Sequence, residues 1–263
     1  MTNKQATRIF NRCINRLKSD DYSTPRILRY HSRPHVEALR KRREAILQRF
    51  GAPGNHYSEI ERYEQEMYAQ LLQEILQQVA EKQLPRYREE VTRFRMVLER
   101  MELLRCHIET CFPTIRRFYH AERRFDRWKG CKVMVTSDRN ARQRNTIDLS
   151  GGQRLIVFSD GRGDADFVVV TDNPHPLVWL MQRLWKEEGQ GFIDFQNKFE
   201  FFGRIATAAQ QFLAENSTDD EAGEQRLLLH CLQEPIAMVT EYRDEAQKWL
   251  DEFEAYCSEH LLS

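Results

Sequence analysis

From residue 60 to residue 108 the apolar side chains keep a helical spacing, and that constrains this chain more than any other feature. Ile60, Tyr63, Met67, Leu71, Ile75 and Val79 recur every three or four residues, with Leu72 and Leu76 widening the stripe. Ser58 with Glu61 fits a capping box at the head of the run. Pro85 is expected to break or kink it, because proline lacks the N–H and its ring crowds the preceding turn. A second long stripe follows in Val91, Phe94, Leu98, Met101 and Ile108, with Val97 and Leu104 beside it. Arg105 interrupts that seam, so a hairpin or bundle is expected rather than an extended coiled coil. Pro113 marks the expected exit.

Shorter helices precede this pair. Asn3–Lys18 places Ile9, Phe10, Cys13, Ile14 and Leu17 on one face. After a connection around Ser23-Thr24-Pro25, Ser32 can cap a helix with Pro34 in its first turn, where the missing N–H costs nothing. Val36, Leu39, Ile46, Leu47 and Phe50 form its apolar side, and Gly51-Ala52-Pro53-Gly54 ends it.

The pattern changes at Lys132. Val133–Val135, Ile147–Leu149, Leu155–Phe158 and Phe167–Val170 read as strands, and their short connections favour an antiparallel meander. Helices return after Asn173-Pro174-His175-Pro176. Leu177, Leu180, Met181 and Leu184 make one stripe, and Phe192, Phe195, Phe199, Phe202, Ala206, Ala209 and Leu213 a second. Asn216–Glu221 is a polar loop, and residues 222–261 hold one helix interrupted at Pro235, or two. The predicted fold is therefore α+β but predominantly α-helical. A long helical hairpin or bundle is joined to a small antiparallel sheet of about four strands. The predicted organisation is a basic helical region over residues 1–130, then a β-meander and an acidic helical region over residues 131–263.

Hydrophobic residues at 41% and aromatics at 11%, with zero net charge, exclude a disordered chain. The longest apolar runs fall far short of the roughly 18 residues that a membrane span needs. Arg8, Arg12 and Arg16 interrupt any apolar segment near the N-terminus that could act as a secretory signal. Six scattered cysteines without a CxxC pair read as reduced thiols, and the expected setting is the cytoplasm.

The zero charge is an average. Residues 1–144 hold 31 Lys+Arg against 18 Asp+Glu, and residues 145–263 hold 9 against 22. This +13/−13 division suggests a polyanionic partner for the basic part, or docking of one part on the other. Two concentrations supply candidate phosphate contacts. The first is Arg40, Lys41, Arg42 and Arg43. The second comprises Arg116, Arg117, Arg123, Arg124, Arg127, Lys129, Arg142 and Arg144, interleaved with Phe118, Tyr119, Phe125 and Trp128. Guanidinium forks match phosphate oxygens, and aromatic faces stack on unpaired bases.

Catalytic signatures are missing: the sequence has no P-loop, GxGxxG, GxSxG or HExxH. Cys106, His107, Cys111, His120 and Cys131 match no common zinc spacing. Three aspartates in Asp160-Gly161-Arg162-Gly163-Asp164-Ala165-Asp166 could surround a hard cation, but glycine and aspartate are also what a tight turn between strands requires. The embedded Arg162-Gly163-Asp164 is read as chance. Asp148 and Asp172 would join that loop in a metal-dependent nuclease cluster, although no lysine lies between Lys132 and Lys186 to support one. His31 and His35 are four apart, but the helix start at Pro34 falls between them, so they need not share a face.

The function expected from these features is non-enzymatic: a nucleic-acid-binding or nucleic-acid-associated regulatory protein. Its Arg-rich N-terminal half contacts DNA or RNA phosphates, and its acidic half makes protein contacts. One alternative is an interaction or assembly subunit, with a protein partner or a second copy held through the helices and no nucleic acid. A second is a metal-dependent enzyme using the Asp-rich loops. No cofactor and no membrane contact are expected.

Overall fold

The computed structural model describes residues 3–18, 24–121, 143–148, 154–159, 165–170, 176–184 and 198–261. The helices are α1 (Asn3–Lys18), α2 (Arg26–His31), α3 (Arg33–Lys41), α4 (Arg43–Phe50) and α5 (Tyr57–Ala121). Strands β1 (Gln143–Asp148), β2 (Arg154–Ser159) and β3 (Ala165–Val170) follow. The last helices are α6 (Pro176–Arg183), α7 (Lys198–Glu215) and α8 (Glu221–Leu261).

The architecture is helical, which corrects the expected α+β class with its sheet of about four strands. Helices α5 and α8 alone run to 65 and 41 residues, and the buried hydrophobic residues among those described come from helices. The β structure among the described residues is limited to three six-residue strands in the order β1-β2-β3. Both pairings are antiparallel, with Asn145 opposite Val157 and Val157 opposite Phe167. The expected strand at Val133–Val135 lies outside the described residues. Helix α7 packs along all three strands.

The break or kink expected at Pro85 and the interruption expected at Pro235 do not occur. Helix α5 keeps helical geometry through Pro85, departing from it only at Cys111, where φ is −122° and ψ 17°. Pro85 and Glu81 both face solvent, so the carbonyl that Pro85 leaves without its i+4 donor can be hydrated. The ring's fixed φ near −65° is itself helical. Pro235 likewise lies inside a continuous α8.

The caps also differ from expectation. Ser32 precedes α3, but its side chain makes no capping hydrogen bond. The apolar stretch from Val36 to Phe50 is two helices, divided at Arg42, whose φ of −95° and ψ of 11° leave the helical region. At the head of α5 the capping acid is Glu59, which accepts the His56 N–H at 3.2 Å, rather than the Ser58/Glu61 pair. Gly51 does end α4: its φ of +68° suits glycine, and its N–H reaches the Leu47 carbonyl at 3.1 Å.

The chain forms two compact units. The first comprises Met1–Val91 with Asp244–Ser263, and the second Thr92–Arg243. In the first, α1 contributes Ile9, Phe10, Cys13 and Ile14, and the short helices add Ile27, Val36 and Leu39. These pack on Met67, Leu71, Ile75 and Val79 of α5, and Phe253 and Cys257 of α8 complete the core. Phe10 and Phe253 are fully buried. In the second unit, Phe94, Met101, Ile108 and Phe112 on α5 are buried, as are Leu177, Trp179, Leu180, Met181 and Leu184, Ile205 and Ala209 on α7, and Leu227, Leu228, Cys231 and Leu232 on α8.

This grouping redistributes the charge. The first unit holds 18 Lys+Arg and 18 Asp+Glu, and the second 22 and 22. The +13/−13 division belongs to the linear chain, because the acidic tail of α8 packs into the unit that carries the Arg-rich N-terminus.

Candidate nucleic-acid interface

The break at Arg42 presents the first candidate run. Arg40 lies 3.3 Å from Glu37, which Lys18 also approaches at 2.8 Å. The Lys18 hydrogen bond, with Arg40 and Arg33 nearby, holds the Glu37 carboxyl below the usual range. Arg42 and Arg49 share Glu74, each at 2.9 Å. Arg43 pairs with its neighbour Glu44 at 2.6 Å. Lys41 is exposed and has no ion pair among the described residues. Glu37 and Glu74 thus each serve two cations, and this surface keeps a surplus of positive charge although its arginines are paired.

The second candidate run is placed only at its ends. Arg116 donates through Nε to Glu224 at 2.6 Å, with Glu221 at 4.0 Å from Nη1. The Glu224 side chain is only 12% exposed, so this pair fastens α5 to the first turn of α8. Arg117 is exposed and donates to the Pro113 carbonyl at 3.3 Å. Arg144 stands on β1 opposite Phe158. Arg123, Arg124, Arg127, Lys129 and Arg142 lie outside the described residues, as do residues 160–164 of the Asp-rich loop.

Next to Arg116 lies the kink in α5. Pro113 cannot donate to the Glu109 carbonyl four residues back. Gln225 of α8 supplies the missing donor: its Nε2 donates to the Glu109 oxygen at 3.1 Å and to the Ile108 oxygen at 2.9 Å. Asp220 starts α8 by accepting the Gly223 N–H at 2.6 Å.

Three histidine and thiol features bear on chemistry. Burial pushes the Cys13 and Cys257 thiols up to about 11 and Cys231 up to about 12, whereas Cys106 and Cys111 are exposed and free. His31 meets the Tyr87 hydroxyl at 3.3 Å, and His35 meets Gln78 Oε1 at 2.7 Å. Burial, and then the neighbouring Arg86, Lys82 and His35, lower the His31 pKa. Despite the helix start between them, the two histidines thus both meet side chains of α5, at Tyr87 and Gln78. Lys82 and Arg86 escaped the sequence reading; their spacing of four on one edge of α5, in line with Gln78, was the available signal.

The first unit also has an open cleft of about 690 Å³ between the start of α2 and the last turns of α8. Arg26 lies 3.3 Å from Glu245, and its guanidinium sits 5.2 Å from the Trp249 ring centre. Asp244, Glu245, Glu252 and Glu259 line it together with Arg29 and Lys248. Among the described residues no group of three or more His, Cys, Asp or Glu is arranged to hold a metal ion, and no helix is long and apolar enough to cross a membrane. Compared with known proteins, the chain matches no family model, no curated protein and no solved structure.

Proposed function

We propose that this protein is a non-enzymatic nucleic-acid-associated regulatory protein that contacts phosphates through the α3–α4 surface. The observation that supports this is the doubling of cations on Glu37 and Glu74, with Lys41 unpaired beside them. Exposed ion pairs of this kind are worth only about 0–1 kcal/mol each, so a phosphate can take over a guanidinium at small cost. The test is fluorescence anisotropy with labelled DNA and RNA oligonucleotides over a salt series. Binding should weaken steeply with salt, and the triple change R40Q/R42Q/R43Q should flatten the log–log slope by about 0.9 for each contact removed. Affinity indifferent to salt, or to the triple change, would reject the reading.

A second reading, an assembly subunit without nucleic acid, is favoured by a different observation. Met96 and Leu103 are 49% and 70% exposed, seven residues apart on one side of α5. A concentration-dependent mass in light scattering that L103E abolishes, with no oligonucleotide binding at low salt, would select this reading.

A further inference from the structure

We propose that His31, His35, Lys82 and Arg86 form a phosphate-binding patch on the first unit, separate from the Arg40–Arg43 run. The four groups come from two sides of one seam. On α5, Gln78, Lys82 and Arg86 follow one another at intervals of four and share an edge of the helix, with Tyr87 next to Arg86. On the other side, the His31 ring is held edge-on to Tyr87 and touches its hydroxyl at 3.3 Å, and the His35 ring is held by Gln78 at 2.7 Å. Both imidazoles are thus fixed at the ends of the stretch that carries Lys82 and Arg86.

Like Lys41, and unlike many arginines of the unit, the cations of the patch have no carboxylate partner among the described residues. Arg12, Arg26, Arg40, Arg42, Arg43, Arg49 and Arg88 all have carboxylate partners. Lys82 and Arg86 are exposed, and neither they nor the two histidines form an ion pair among the described residues. The charged groups that act on His31 are Arg86 and Lys82 from α5 and His35 from α3, all cationic or able to become so. Glu90, one further interval of four along the same edge of α5, acts on Tyr87 and is not among the groups that act on His31. A phosphate at this seam would accept from a fixed imidazole, an ammonium and a guanidinium. A phosphate bound there would favour the imidazolium form of His31, so binding strengthens as pH falls through the imidazole range.

The test is a proton NMR titration of the full chain, with the His31 and His35 ring resonances assigned from H31Q and H35Q. The probes are inorganic phosphate, against chloride at matched ionic strength, and a single-stranded oligonucleotide. Saturable movement of both resonances, a raised His31 midpoint and a roughly tenfold or greater weakening in K82Q/R86Q, the size expected for one charge-assisted contact, are the expected result. Unmoved resonances with both probes, or shifts that K82Q/R86Q leaves intact, overturn the patch. An oligonucleotide that binds while both histidines stay silent also overturns it, and leaves the α3–α4 reading standing. Phosphate-induced shifts without oligonucleotide binding support the patch and remove the nucleic-acid reading.

Discussion

Replacing Gln225 by methionine keeps the length of the side chain and removes both of its amide donors. Two backbone carbonyls at the α5 kink, those of Ile108 and Glu109, then lose their hydrogen bonds of 2.9 and 3.1 Å. The Ile108 contact is partly buried, so its loss should cost about 1–1.5 kcal/mol. The Glu109 contact is exposed and water can substitute, leaving about 0–0.5 kcal/mol. The expected total is about 1–2 kcal/mol, read as a lower urea midpoint at unchanged slope by circular dichroism. The mechanism makes a sharper demand in a double-mutant cycle. P113A restores an N–H within reach of the Glu109 carbonyl, so Q225M should be less damaging in that background by about 0.5–1 kcal/mol. A Q225M chain as stable as the parent, or an identical cost with and without Pro113, would refute the argument that Gln225 stands in for the proline's missing donor.

Four further outcomes are expected. R116Q should lose about 1–2 kcal/mol of stability because it strands the nearly buried Glu224, whereas R117Q should stay within about 0.5 kcal/mol; equal melting curves for the two would restore Arg116 to the list of free phosphate contacts. F253A empties a fully buried position in the first unit and should cost about 3–5 kcal/mol, detected as faster limited proteolysis of α1–α4. His31 binds its proton more weakly folded than unfolded, so its contribution to stability is complete above the unfolded value near 6.5 and is lost as pH falls below it. Melting temperatures of H31Q should accordingly fall less than the parent's between pH 7 and pH 5. Finally, a thiol reagent at pH 8 should label Cys106 and Cys111 quickly and Cys13, Cys231 and Cys257 only on unfolding, as mapped by mass spectrometry; fast labelling of Cys231 would contradict its burial.

The α5 stripe, the α1 face, the Gly51 stop and the polar loop before α8 were legible because each rests on neighbours along the chain: a period of 3.6, or one residue's freedom at positive φ. Pro85 misled the local reading, since sequence alone does not say whether the orphaned carbonyl faces water or is buried. Pro113 did mark a break, the kink at Cys111, but the local reading could not show that helix resumes to Ala121 or that Gln225, more than a hundred residues away, supplies the donor the proline lacks. The candidate run Arg40–Arg43 was visible as composition, but its pairing was not. Glu74 is reached only because α4 lies along α5, and that placement follows from burying Ile46 and Leu47 against the α5 stripe. The histidine patch needed the same packing to bring α2 and α3 opposite Lys82 and Arg86.

What the sequence by itself determined is the helical character of the chain and the faces that must be buried, because hydrophobic periodicity acts locally. The tertiary structure decided which distant segments share a core. It placed Phe253 and Cys257 among the N-terminal helices, and in doing so turned a chain of +13 and −13 into two units without net charge. Charge sums follow the linear order of residues, whereas burial of apolar surface acts between whatever segments meet, and it is burial that dominates the folding free energy.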